Sequence, residues 1–187
     1  MEKKKIIAIT GSIAGGKSKV VRKIASKLGM DTYSASESFR KLARDNNMDL
    51  ATFNEYIEDN PDIDKKIDEE LSEYLNSHDN LVVDSRLAWH FVNDAFKVCI
   101  TVDIDVAALR LSKDASNRNV EDKYETVDSA KKAIIKRQSY ERERYIREYG
   151  IDIHDFSNYD FVLDSTNMST DEMANIIIDK YNEWLEN

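Results

Sequence analysis

Short apolar runs, separated by stretches with helical periodicity, set the layout of the chain. Ile6, Ile7, Ala8 and Ile9 follow one another without alternation, the pattern of a strand buried on both faces of a parallel sheet. Met30 to Tyr33, Leu81 to Asp84, Phe96 to Val102 and Tyr159 to Leu163 predict four more short strands. Between them the apolar positions predict helices: Lys17 to about Leu28, stopped by Gly29; a helix opening at Ser34 to Arg40 with Ser36 as its cap; and Val106 to Ala115. Residues 49–77 read as two short helices broken at Asn60-Pro61, the first burying Leu50, Phe53, Tyr56 and Ile57, the second Ile63, Ile67, Leu71 and Leu75. A long polar helix precedes Gly150, and Ser169 to Leu185 closes the chain with Met173, Ile176, Ile177 and Tyr181 on its apolar face. Five strands alternating with helices predict an α/β domain with helices on both faces of a parallel sheet.

Composition narrows the classes of function. The chain has 187 residues and a net charge of -9, so it reads as one domain without general attraction to nucleic acid or anionic membrane. Any polyanion site must then be locally basic. The one cysteine, Cys99, lies in an apolar run and has no partner within the chain, which fits a reducing cytoplasm. The apolar run after Lys3, Lys4 and Lys5 is too short for a signal peptide, and no stretch approaches membrane-spanning length. His78, His90 and His154 lack ligand spacing, so no metal role is expected of them.

The strongest chemical signal follows the first strand. Gly11-Ser12-Ile13-Ala14-Gly15-Gly16-Lys17-Ser18 fits GxxxxGK(S/T) in the strand-loop-helix setting that this motif requires. Gly11, Gly15 and Gly16 are expected to take positive φ and let backbone N–H groups approach phosphate oxygens. The helix N-terminus adds its positive dipole there, Lys17 reaches toward the outer phosphates, and the Ser18 hydroxyl suits a magnesium ion. A glycine-rich turn that happens to contain a lysine is the plainer reading.

Other candidates sit at strand ends and on the arginine-rich helix. Asp84 ends a strand at the crevice where open α/β sheets bind ligands, and either holds a metal or its water, or caps the helix that follows. Arg86 beside it can hold a second phosphate. Ser34 to Arg40 can receive an anion through a helix dipole and a charged fork, or be a capped surface helix with a solvated arginine. From Arg110 to Arg147 local positive charge offsets the acidic whole: Arg110, Lys113 and Arg118 precede a polar loop reaching about Thr126, and Arg137 and Arg144 then lie seven residues apart on nearly one helix face. A lid carrying Arg137 and Arg144 would stabilise a transferring phosphoryl group, whereas Arg142 and Arg147, alternating with Glu141, Glu143 and Glu148, read as a solvent-facing face laced with ion pairs.

With these segments in place the chain resembles the short, archaeal-type cytidylate kinases of the nucleoside monophosphate (NMP) kinase group in the P-loop NTPase superfamily. The resemblance rests on GSIAGGKS, SASESFRKLA, MDLATFNEYIEDNPDIDKKID, DSRLAW, RQSYERERYIREYGIDI and YDFVLDS, in that order. It implies a three-layer αβα fold with strand order 2-3-1-4-5, a core (1–35, 79–112 and 150–187), an NMP-binding helical lobe (36–78) and a lid (113–149). It also implies transfer of the ATP γ-phosphate to CMP or dCMP with Mg2+ in the cytoplasm. By position, Gly11, Ser12, Ile13, Ala14, Gly15, Gly16, Lys17 and Ser18 would bind ATP, with Lys113 and Arg118 near the lid arginines of the family. Ser34, Arg40 and Arg86 would serve the acceptor, Arg137 and Arg144 the transferring phosphoryl group, and Ser18 and Asp84 the metal. Against the family pattern, Lys19 replaces a frequent threonine, Glu69 and Glu70 stand where arginines are usual, and Ser85 and Trp89 replace glycines. Two other readings stay open on the residues alone: a related kinase for another nucleotide or a small metabolite, and a non-catalytic ATP-binding regulatory protein.

Overall fold

The computed structural model describes residues 4–48, 52–53, 56–57, 60–113, 124 and 126–186. Its sheet is built from β1 (Ile6–Gly11), β2 (Asp31–Ser34), β3 (Leu81–Asp84), β4 (Phe96–Thr101) and β5 (Phe161–Asp164), in the spatial order β2-β3-β1-β4-β5 with every pairing parallel. The expected fold class and strand order are both found. Strand boundaries differ from the sequence reading by one or two residues, most at β5, where a 3-10 turn over Phe156–Asn158 takes the chain up to Tyr159 before pairing begins.

Alternation along β1 explains the two cores. Ile7 and Ile9 face one side, where α1 (Lys17–Leu28) contributes Val20, Val21, Ile24 and Ala25, and the final helix (Thr170–Glu186) contributes Met173, Ala174 and Ile177. Ile6 and Ala8 face the other, packing with Leu71, Leu75, Trp89, Tyr145 and Tyr159. A strand at the centre of the sheet with both faces covered must be apolar throughout, and β1 is buried from Ile6 to Thr10. The first helix ends as read, with Gly29 in the left-handed region at φ 64.

Two smaller clusters lie off the sheet. Ala43 of α2 (Ala35–Asp45), Phe53 and Ile57 form one, with Phe39, Leu42, Ile63 and Ile67 packed against them. Phe53 and Ile57 are buried as expected, but Tyr56 is exposed and Leu50 lies outside the described residues. Tyr56 stacks on Phe53 from outside, keeping its hydroxyl in water. Pro61 opens α3 (Pro61–Ser77) at a position where a missing N–H costs nothing. This helix buries Leu71 and Leu75 against the sheet and leaves Ile63 and Ile67 half-buried on the smaller cluster. The other satellite joins α5 (Ile104–Lys113) to α6 (Val127–Tyr149) through Ala107, Ala108, Leu111, Ala130 and Ile134, with Ile13 of the glycine loop among them. Between β3 and β4 lies a single-turn helix, α4 (Ala88–Phe91). The final helix is α7.

The register fixes where a site can form. Ile9 pairs with Asp84, Ser34 with Asp84, and Gly11 with Ile100, so the carboxyl ends of β1, β2, β3 and β4 lie on one edge. β1 sits at the point where strand order reverses, and its end opens into the crevice that this topology creates.

Gly11 is the tightest point of that edge. A Cβ there would lie 1.9 Å from the Ile100 carbonyl oxygen, and its φ is +131. Gly11→Ala should therefore cost about 3 kcal/mol through combined backbone strain and a forced shift of β4. Urea unfolding checks this; a variant as stable as the parent would contradict the close approach.

Candidate active site

Of the three loop glycines expected at positive φ, Gly11 and Gly16 take it and Gly15 does not. Gly16 takes φ 86 and caps α1 without a side chain, but the other left-handed position in the turn is Ala14, at φ 57. Gly15 stays outside the positive-φ region. Its N–H closes a tight turn onto the Ser12 carbonyl at 3.2 Å, which places the left-handed residue one position earlier. Gly15 is required for space instead: a Cβ would meet the Ser12 carbonyl oxygen at 3.1 Å. The loop thus delivers the first amides of α1, which have no helical partners, to the mouth of the crevice.

Lys17 folds across this loop. Its Nζ donates to the carbonyls of Ser12 at 2.8 Å and Gly11 at 3.1 Å. Burial pushes its pKa down to about 7, nearby Arg86 pushes the same way, and Asp84 and Glu141 oppose them.

Beside it the Ser18 hydroxyl donates to Asp84 Oδ2 at 2.8 Å. Asp84 is buried at the end of β3, and α4 has no side-chain cap, so the helix-cap alternative for Asp84 fails. A hydroxyl from the first turn of α1 and a carboxylate from the end of β3 form a hard oxygen pair, which is the donor chemistry magnesium takes when phosphates and water complete its shell.

The arginines separate into three settings. Arg86 is one-fifth exposed; its Nη1 donates to the Gly11 carbonyl and its Nε meets Glu141 Oε2 at 3.1 Å. Arg137, mostly exposed, meets the other oxygen of the same carboxylate through Nε at 2.9 Å. Glu141 is itself only 14% exposed. Burial would raise its pKa, but Arg86 and Arg137 outweigh that and hold it below the usual carboxylate range. Arg144 points elsewhere, to Asp68 on α3 at 3.4 Å, where the Tyr149 hydroxyl also donates at 2.5 Å. Burial raises the Asp68 pKa against those two partners. Arg40 is exposed and lines an open depression with Glu37, Ser38, Lys41 and Arg44; among the described residues no ion pair joins it to a carboxylate. Arg142 and Arg147 pair with Asp152 and Glu148 on the outer face, as expected.

Lys17, Ser18, Asp84, Arg86 and Arg137 are therefore brought together, while Arg144 and Arg40 stand apart in this conformation. Ser34, not Ser36, caps α2, accepting from the Glu37 N–H at 3.4 Å. Lys113 ends α5, exposed, and Arg118 lies outside the described residues. Sequence reasoning missed Glu141, Asp68 and Arg110. Glu141 sits four residues after Arg137 and so shares its face, a signal present in the sequence but read as solvent-facing. Arg110 donates to the Ala14 carbonyl at 3.3 Å and to those of Ser165 and Thr166 at 2.9 and 3.0 Å. It thereby ties the glycine loop to the connection after β5. Among the described residues no cluster of His, Cys, Asp and Glu forms a metal cage, and no helix is long and apolar enough to cross a membrane.

Comparison with known proteins agrees with this geometry. The model of the cytidylate kinase-like family matches residues 6–167. The cytidylate kinase of Sulfolobus acidocaldarius is 36% identical over 174 residues, covering 92% of this chain and 91% of that protein. The cytidylate kinase of Thermoplasma acidophilum is 34% identical over 181 residues, covering 95% and 92%. The crystal structure of shikimate kinase from Bacteroides thetaiotaomicron superposes with a TM-score of 0.66 at 15% identity, over 97% of this chain and 98% of that one, a likeness of fold.

The depressed Lys17 gives the site a pH signature. Free Lys17 is largely neutral above pH 7, whereas a bound polyphosphate restores its charge, so binding takes up a proton there. ADP affinity should be flat below that pH and fall by about tenfold per unit between about pH 8 and 9. In Lys17→Arg, always charged, the slope should vanish. Calorimetric titrations at several pH values measure it; a pH-independent affinity in the parent would contradict the assignment.

Proposed function

The chain belongs to the cytidylate kinase-like family, and from that membership and the site geometry we propose that it is a nucleoside monophosphate kinase. It transfers the γ-phosphoryl group of ATP to the phosphate of CMP or dCMP, giving ADP and the nucleoside diphosphate. The single observation that carries the reading is Arg86, which donates to the Gly11 carbonyl and so places a second cation at the rim of a phosphate-binding loop. One loop lysine serves a donor; an adjacent arginine from another strand serves an anionic acceptor.

In this mechanism the loop amides and Lys17 hold the outer phosphates of ATP. Ser18 and Asp84 would hold Mg2+, which would supply positive charge against the polyphosphate. Arg86 and Arg40 bind the acceptor phosphate, and Arg137 and Arg144 meet the transferring group. The acceptor is already an anion at neutral pH, so attack needs alignment and charge neutralisation rather than a strong base. The small cluster around Phe53 belongs to an acceptor lobe over 36–78, and residues 113–149 act as a lid. Closure of these two parts brings Arg40 and Arg144 to the phosphates that Lys17 and Arg86 already border.

A second reading, a different nucleotide or metabolite as acceptor, draws on Glu69 and Glu70. Both are exposed on α3, one and two residues beyond Asp68, where the family pattern has cations.

An ADP-release assay with Mg-ATP against CMP, dCMP, UMP, AMP and GMP separates the readings. Turnover confined to CMP and dCMP is expected; strong turnover on another acceptor with CMP and dCMP poor would select the second. Lys17→Ala should abolish turnover with the fold retained. Arg86→Ala should lose about 2 to 5 kcal/mol in acceptor kcat/KM, because the bound phosphate loses a buried charged partner. Unchanged acceptor kcat and KM in Arg86→Ala would refute its role.

A further inference from the structure

Three groups outside the family-matched candidates stand out: Asp68 with Tyr149, the buried indole of Trp89, and Glu141. The Trp89 Nε1 lacks a hydrogen-bond partner among the described residues, but its ring packs in the core against Tyr159. Asp68 ties α3 to α6 at a distance from Lys17. Glu141 alone reaches residues on both sides of the proposed reaction.

We propose that Glu141 is a positioning residue for phosphoryl transfer, holding Arg86 and Arg137 on the two oxygens of one carboxylate so that the acceptor-binding and lid arginines are set together. This rests on the kinase reading above.

The geometry gives the reason. Arg86 lies two residues after β3 and Arg137 at the end of the third turn of α6, places far apart in sequence that carry like charge. Both also raise the potential at Lys17, and each lowers the affinity of that lysine for its own proton. Left alone, two guanidinium groups beside an ammonium repel, and Arg137, mostly exposed, would spread over many rotamers. Glu141 meets Oε2 to Arg86 Nε at 3.1 Å and Oε1 to Arg137 Nε at 2.9 Å. Each guanidinium is thus gripped by its inner nitrogen, and this carboxylate does not consume the terminal amino groups. Arg86 is fixed on a further side by the Gly11 carbonyl. On Arg86 the Gly11 carbonyl takes Nη1, so Nη2 is the nitrogen that neither of these contacts uses. The carboxylate is held ionised by the same two arginines, so it keeps this role at neutral pH.

A carboxylate in this place can act in two opposite ways. As a positioning group it lowers the cost of ordering the arginines; as a stand-in for the acceptor phosphate it competes with substrate. Placement on Nε, away from the outer edge, favours positioning.

The test uses Glu141→Gln in the full chain, keeping the shape and removing the charge. The expected result is a loss of about tenfold or more in acceptor kcat/KM with ATP KM unchanged, and a smaller loss when the same change is made in Arg137→Met, since Glu141 acts partly through that arginine. Glu141→Asp, too short to span both partners, should not restore activity. An unchanged acceptor kcat/KM, a lowered acceptor KM, or full additivity with Arg137→Met would overturn the proposal. A second readout does not depend on turnover. In protein labelled with 15N at arginine Nε, the Arg86 and Arg137 Nε–H resonances should both shift in Glu141→Gln, and inorganic phosphate should perturb them at higher concentration than in the parent. If neither resonance moves, the positioning role is wrong whatever the acceptor. If both move but no acceptor is turned over by the parent, the kinase reading fails and the bridging carboxylate stands.

Discussion

Like charge must be concentrated at the end of β1 without the fold flying apart there. Lys17, Arg86 and Arg137 share one electrostatic neighbourhood, and the protein tolerates it by three compensations. The carbonyls of Gly11 and Ser12 accept from Lys17, and that of Gly11 also accepts from Arg86. Glu141 bridges the two arginines. Lys17 itself surrenders part of its charge, its pKa falling to about 7. On the proposed reading a polyphosphate would satisfy these cations together.

That constraint reaches into the backbone. The Gly11 carbonyl can serve both Lys17 and Arg86 only because β1 ends against β4 at a distance that excludes a Cβ. Arg110 holds the far side of the loop by its three carbonyl contacts, joining Ala14 to Ser165 and Thr166. The loop is therefore clamped from β4 on one side and from the segment after β5 on the other. α6 brings Glu141 in because Ala130 and Ile134 pack on α5 while Tyr145 packs on the sheet-side core. One long helix spans both clusters, and its polar residues at the crevice follow from where its apolar ones must go.

Much of this was legible in the sequence where the physics is local. β1, the glycine loop and α1 declare themselves by an apolar run, glycines and a helical period in fixed order. β3 was found to the residue because three apolar residues between Asn80 and the Asp84 that ends the strand admit few other structures. What failed was what depends on partners distant in sequence. Tyr56 matched an apolar period yet lies outside, since periodicity cannot tell a buried ring from one stacked on a core edge. Glu141 looked like one acid among alternating charges, and only the arrival of Arg86 from β3 makes it interior. Ala14 in place of Gly15 as the left-handed residue reflects a turn closure set by one hydrogen bond, which a glycine count does not reveal.

The central claim is that donor and acceptor phosphates meet between Lys17 and Arg86. The most direct measurement is calorimetric affinity for a bisubstrate compound, adenosine and cytidine joined by five phosphates, against that for ADP alone. If both half-sites exist and face each other, linking them should tighten binding by about a hundredfold or more over ADP, and Arg86→Ala should remove most of the gain. Equal affinities for the linked compound and ADP would mean that no acceptor site adjoins the glycine loop, and the account would be wrong at its centre.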